Sequence, residues 1–474
     1  MPNVKVRTPT ADPASPKLII RNTSAPEGKL RQARFGSPDY KVIRFAVISR
    51  AVVICLSILS DWAIPDHEPD PSVARSPGVS PWLRAFTRWD AARFVKIAQQ
   101  GYLLEEDYAF MPVLPLAISG SVRLASMVLP EIGPVHFVAI GMMITNSCFV
   151  LAAWLLYRLG LLVLQDQLLA FRSAIVFCLS PAGVFYSTVY TESPFAACSF
   201  GGLFLLELNR PLLAAVFFGL GTGLRSNGML NAGFLVYHCA CTMLRDLQGG
   251  TEPLQVLITG AKRLGMLVLG VAISVGPFLA FQVYAIQKEC YVKDACAEAE
   301  QCSISEQPPP WCQGSIPSVY MHVQKKYWQG GFLCYWQLKQ LPNFALAAPA
   351  LSLTALGVRH ILLDFFGQLQ HWAQVRSEDT PALRAATGIC RAVLLCPLLP
   401  HALHWGLLAT YLLLCANVQI VTRVLGSGCP VFHWFVASLL FSRRLHKTSW
   451  LLKCYLGVFN FVGIILHPNF LPWT

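Results

Sequence analysis

The sequence predicts an all-α polytopic membrane protein, on three observations. Of 474 residues, 54% are hydrophobic and only 13% charged, and the mean hydropathy is +0.50, too apolar for a soluble fold of this size. Apolar runs long enough to cross about 30 Å of hydrocarbon recur from end to end. The Lys and Arg residues that make the net charge +12 sit at the flanks of those runs and form no patch interleaved with aromatics, which argues against nucleic acid as a partner.

Residues 1–42 are rich in Pro, Ser, Lys and Arg and poor in large apolar side chains, so they read as a disordered cytosolic tail. They do not read as a cleavable signal, because the first apolar core starts only after about forty residues and is long enough to stay in the membrane. Through Phe45 this part carries nine Lys/Arg against Asp12, Glu27 and Asp39, which by the positive-inside rule puts it in the cytosol. The candidate spans are 43–64, 134–157, 169–186, 193–209, 211–226, 229–244, 264–286, 343–362, 389–421, 430–442 and 449–466. Short Gly, Pro or Asn breaks blur neighbours, so the expected count is roughly nine to twelve transmembrane helices within a membrane domain 43–474.

If 111–131 is interfacial or re-entrant, the basic connections at Arg158, Arg245 with Lys262-Arg263, Arg359 to Arg384, and Arg443-Arg444 with Lys447 all fall on the cytosolic side. The loops 65–133 and 287–342, the surroundings of Glu192, residues 422–429 and the C-terminus then share the opposite face. The eleven cysteines outside the long loop lie in or beside spans, where Cys serves as a small apolar residue. Cys290, Cys296, Cys302, Cys312 and Cys334 gather in the long non-cytosolic loop, where an oxidising compartment would allow at least one disulfide, with the pairing open.

The chemistry-bearing candidates lie on that same face. Asp90, in AFTRWDAARFVKIAQQGY, is flanked by Arg88, Arg93 and Lys96, so a carboxylate able to take a proton lies beside cations able to hold a phosphate. The competing reading is an amphipathic interfacial helix in which Arg88 and Asp90 form a solvated pair. Glu192 either helps start the helix that begins at Ser193-Pro194 or binds a sugar hydroxyl. Arg225, in GLRSNG with Asn227, is costly inside a span unless it faces a polar cavity, and a lipid phosphate would suit it. Arg423 ends a long apolar stretch and either holds phosphate or snorkels. Loop 287–342 carries Trp311, Tyr320, Tyr327, Trp328, Tyr335 and Trp336, rings that can stack on sugars or form an interfacial belt, followed by Gln337, Lys339 and Asn343 as polar groups for the hydroxyls or phosphate of an acceptor. The last six residues, from Asn469, are apolar and aromatic, which at a chain end suggests packing into the luminal face, where with Asn469 they would help build the acceptor site.

Several segments carry a resemblance. RWDAARFVKIAQQGY and AFMPVLPLA, SPAGVFYSTVYTESPFA, GTGLRSNG, PPPWCQ with YWQGGFLCYWQLKQLPNFALAAP, VQIVTRVLGSGCPVFHWF and the terminal LHPNFLPWT resemble the PIG-V family, in order from the first loop to the last residue. Arg93 and Met111 depart from the pattern, standing where relatives commonly carry a His or aromatic residue and a Phe. The resemblance implies a multi-span glycosyltransferase of the GT-C type in the endoplasmic reticulum membrane, with its active site luminal and no cofactor. It implies transfer of the second mannose of a glycosylphosphatidylinositol (GPI) anchor, in α1,6 linkage, from dolichyl-phosphate mannose to a mannosyl-glucosaminyl-acyl-phosphatidylinositol, with a small membrane protein as a further partner. Asp90 would be the general base. The β-linked donor and α-linked product imply inversion in one displacement, for which one catalytic carboxylate suffices. No Asp-x-Asp triplet occurs, consistent with no metal site. The competing classes are a lipid or sugar transporter or flippase, which would often show internal repeats, and a non-catalytic subunit of a glycosyltransferase complex, which would not need the acid.

Overall fold

The computed structural model describes residues 35–67, 79–248, 252–291, 309–314, 317–374, 381–442 and 444–473. Within them the chain is helical, with no strand. In order the helices are α1 (Ser37–Ala63), α2 (Asp90–Gln100), α3 (Val113–Ala125), α4 (Pro134–Leu164), α5 (Gln167–Cys178), α6 (Glu192–Glu207), α7 (Pro211–Leu224) and α8 (Ala232–Gln248). They continue as α9 (Pro253–Ile286), α10 (Val319–Trp328), α11 (Leu341–Gln374), α12 (Pro381–Leu395), α13 (Leu399–Cys415), α14 (Val421–Gly428), α15 (Pro430–Leu440) and α16 (His446–Leu466).

Local chemistry sets many of these ends. Proline occupies the first turn of α1, α4, α7, α9, α13 and α15, where a missing N–H costs nothing and the fixed φ suits the helix. Asp166 caps α5 by accepting from the amides of Leu168 and Leu169, each at 2.9 Å.

Five helical segments are long and apolar enough to cross a membrane: Ser37–Ala63, Pro134–Leu164, Leu254–Tyr291, Leu338–Trp372 and His446–Asn469. Two sharply bent pairs, Gly388–Leu395 with Leu399–Cys415 at 81° and Val418–Gly428 with Pro430–Leu440 at 89°, raise the number to seven if each pair is one span. The lower count has a physical reason. Helices α5, α6, α7 and α8 have 12, 16, 14 and 17 residues, short of the ~20 needed for a straight crossing. The 13-residue α3 is likewise too short, as expected of an interfacial or re-entrant segment. The apolar run 389–421 is broken at Cys396 into α12 and α13.

Of the five long segments α4 is the most enclosed, packing on α5 and α6, while α6 packs on α7 and α7 on α9. Close approach between α7 and α9 needs Gly219, since a Cβ there would lie 2.5 Å from the Ile273 carbonyl oxygen. Helix α1 is tied in by Arg50, which lies over the Phe149 ring and donates to the carbonyls of Gly183 (2.7 Å) and Cys178 (3.2 Å). Most of the tail expected over 1–42 lies outside the described residues, but 37–42 already belong to α1. There Asp39 is buried and accepts from Trp154 Nε1 at 2.8 Å and Arg158 Nη1 at 3.3 Å.

In the long loop the disulfide is Cys290–Cys312, 22 residues apart, joining the end of the α9 segment to the turn Pro310–Gln313. Cys334 is a free thiol, and Cys296 and Cys302 lie outside the described residues.

Candidate active site

Helix α2 buries Ala91, Phe94, Val95, Ile97 and Ala98, which leaves its N-terminus, Asp90, at the edge of the packed region. The residue before it, Trp89, has φ +57 and ψ −131, a conformation a bulky L-residue rarely adopts. As a carboxylate in the first turn of a helix, Asp90 faces unsatisfied amides and the positive end of the helix dipole. Its side chain is 32% exposed, and Oδ2 accepts from both Nη1 and Nη2 of Arg423 at 3.3 Å. Its backbone N–H donates to the Tyr190 hydroxyl at 3.1 Å.

Arg423 lies in α14, the first arm of a bent pair, with its guanidinium over the rings of Phe185 (5.0 Å) and Tyr190 (5.5 Å). Its Nη1 is also 3.5 Å from Glu192 Oε1. Glu192 begins α6 and is fully buried; the same Oε1 receives Arg225 Nη1 at 2.5 Å. Arg225 leaves α7 in extended conformation and also donates to Thr191 Oγ1 at 3.3 Å. The turn that aims it depends on Gly228, where a Cβ would lie 2.5 Å from the Thr222 amide nitrogen.

Four segments distant in sequence therefore build one alternating row, Asp90, Arg423, Glu192, Arg225. Burying charge is tolerable only when opposite charges alternate in this way. The row is not closed: buried Arg423 Nε and Glu192 Oε2 have no hydrogen-bond partner among the described residues. Contacts of 3.3 Å from Arg423 to Asp90 sit beyond the usual N–H···O range, so an incoming anion can compete for that guanidinium. Burial pushes the Tyr190 phenol well above its ordinary value, with Asp90 adding to the effect, so the hydroxyl keeps its proton.

The remaining sequence candidates divide. Arg88 is locked into the fold: its side chain is 1% exposed and bonds Asp61 at 2.7 Å, Asp66 at 3.0 Å and the Pro468 carbonyl at 2.8 Å, with Phe470 stacked at 4.4 Å. It is not the solvated partner of Asp90, because the C-terminal segment folds over it. Asn469 is equally structural, fully buried and donating to Ser60 Oγ at 2.9 Å and the Ile465 carbonyl at 2.6 Å. Arg93 contacts Glu106 (2.5 Å) and Asp107 (3.6 Å). Lys96 is half-buried farther along α2, and Asn227 lies half-buried in the turn Ser226–Asn231. Gln337 is exposed and donates to the Cys334 carbonyl at 3.0 Å, and Lys339 is exposed. Asn343 donates to Tyr335 Oη (2.9 Å) and Gln340 Oε1 (2.7 Å). The bonds of Gln337 and Asn343 stay among residues 334–343.

Sequence reasoning overlooked Asp61, Asp66 and His467. Asp61 carried a signal, an acid at the end of the first apolar run. His467 is buried edge-on against Phe185 (5.1 Å) and Tyr190 (5.7 Å), the two rings beneath Arg423. Only its place in the LHPNF segment hinted at it.

Residues 39–474 match the family described as Mannosyltransferase (PIG-V). The chain is 32% identical to GPI alpha-1,6-mannosyltransferase 2 of Rattus norvegicus, over 92% of this chain and 98% of that protein. It is 32% identical to the Homo sapiens protein of the same name over the same shares. GPI mannosyltransferase 2 of Drosophila pseudoobscura pseudoobscura is 29% identical over 92% of this chain and 99% of its own length. Among solved structures, the archaeal oligosaccharyltransferase AglB from Archaeoglobus fulgidus overlays with a TM-score of 0.46 at 11% identity, covering 92% of this chain and 56% of AglB.

Proposed function

The chain belongs to the mannosyltransferase (PIG-V) family, and from that membership we propose that it adds the second mannose of the GPI anchor in α1,6 linkage. The donor is dolichyl-phosphate mannose and the acceptor a mannosyl-glucosaminyl-acyl-phosphatidylinositol. The reaction runs at the luminal face of the endoplasmic reticulum membrane, with the N-terminus cytosolic and a small membrane protein as an additional partner. In this topology loops 65–133 and 287–342 belong to the luminal side.

The observation that carries the reading is the open row of two carboxylates and two guanidiniums. Asp90, the more accessible of the two acids, takes the proton from the acceptor 6-hydroxyl. The freed oxygen attacks C1 of the donor mannose while the C1–O bond to dolichyl phosphate breaks, so the electron pair leaves on the phosphate and the configuration inverts. Arg423 and Arg225 receive that phosphate; their forked donors match its oxygens, and a protein-lined site makes each charge-assisted bond count for more than in water. Fully buried Glu192 bridges the two arginines through Oε1 and offsets their mutual repulsion.

The direct test supplies labelled dolichyl-phosphate mannose to membranes lacking or containing this protein. Conversion of the one-mannose GPI precursor to the two-mannose form only when the protein is present supports the reading. Equal conversion in both membranes refutes it.

A further inference from the structure

Asp90 sits on the first residue of a helix, and first residues are the part of a helix least fixed by its own hydrogen bonds. Its N–H has no intrahelical acceptor, the preceding Trp89 is in a strained conformation, and among the described residues the Asp90 side chain reaches only Arg423. Something outside α2 must hold it. The Asp90 amide donates at 3.1 Å to the hydroxyl of Tyr190, a residue 100 positions away and 2% exposed. The same ring packs on Phe94 of α2, on Phe185 and on His467, and lies 5.5 Å beneath the Arg423 guanidinium.

We propose that Tyr190 is a positioning residue for the transfer: its hydroxyl fixes the main chain of Asp90 while its ring supports Arg423, so that one side chain sets the spacing between base and phosphate-holding cation. This rests on the reading of Asp90 as general base. The division of labour is physical. The ring is an apolar shelf that several neighbours share, whereas among the described residues the hydroxyl makes one hydrogen bond, to the residue that carries the proton. Removing the oxygen alone leaves the shelf and orphans the amide, and displacement of a catalytic group by about 1 Å can cost up to a hundredfold in rate.

The test compares wild type, Tyr190→Phe, Asp90→Asn and the double variant in full-length protein, per amount of folded enzyme, with dolichyl-phosphate mannose as donor. Tyr190→Phe should lower kcat about ten- to a hundredfold with the donor KM changed less than about threefold, and should cost nothing further in the Asp90→Asn background. Deuterium exchange of the purified protein gives a second reading independent of turnover: the Asp90 amide should lose protection in Tyr190→Phe while the rest of α2 keeps its own. Wild-type kcat in Tyr190→Phe alongside an inactive Asp90→Asn overturns the proposal and leaves the base assignment standing, as does an equal loss in both backgrounds or unchanged protection at Asp90. Full turnover by Asp90→Asn overturns the base assignment itself, and this role with it.

Discussion

Exchanging Arg423 or Arg225 for Lys keeps a positive charge and removes the planar fork, so the consequence separates phosphate binding from mere charge. The account of the site predicts an apparent KM for dolichyl-phosphate mannose raised by about tenfold or more in either variant. Steady-state kinetics in membranes would check this, and an unaltered donor KM in both would return the pair to a structural role. Arg88 behaves oppositely. Arg88→Met leaves Asp61, itself 1% exposed, with only the half-exposed Arg84, and breaking a buried pair costs on the order of 3–5 kcal/mol. The expected result is a clear fall in folded yield and Tm, with the donor KM of the surviving protein unchanged. In the sequence Arg88 stands two residues from Asp90 and looks like its partner. A helix start turns neighbouring side chains to different sides, so proximity along the chain misassigned Arg88, and Arg423, 333 residues away, took its place.

At the scale of elements, α10 is clamped to the turn Glu105–Ala109 by a cluster that titrates. Glu105 lies 3.1 Å from His322 Nε2 and is hydrogen-bonded by Lys326 and by the Tyr327 hydroxyl at 2.9 Å. Burial alone would raise the Glu105 carboxyl, but the bonds from Lys326 and Tyr327, with the charges of Lys326 and His322, outweigh it and hold it below its ordinary 4.5. A carboxylate depressed in the folded state contributes stability above its unfolded value and loses it as pH falls through the folded one. Docking of α10 is therefore expected to persist from neutral pH down to about 4.5 and to weaken only below that. Protease accessibility of residues 319–328 across that range reads it directly; release well above pH 4.5 would contradict the assignment. The aromatic residues of this loop were legible in the sequence, and so was a disulfide among its cysteines. The pairing Cys290–Cys312 was not, because connectivity depends on where the end of α9 meets the loop.

For the whole molecule, hydropathy made the all-helical membrane fold plain, since lipid-facing and core-facing positions are both apolar. For the same reason it could not tell the long segments from the short α5 to α8, or see that α12–α13 and α14–α15 bend by more than 80°. Those bends matter for the site, because the second of them turns the chain just beyond Arg423. Local sequence singled out Asp90, Glu192, Arg225 and Arg423 individually, but not their alternation, which exists only once α2, α6, α7 and α14 meet. The most direct measurement is turnover by purified, reconstituted protein given dolichyl-phosphate mannose and the one-mannose glycolipid, with wild type and Asp90→Asn side by side at equal folded amounts. The expected outcome is an α1,6-linked two-mannose product from wild type and a rate lower by about 10² to 10⁴ from the variant, which keeps the shape of the side chain and loses its basicity. Comparable rates from the two proteins would contradict the assignment of Asp90 as the base.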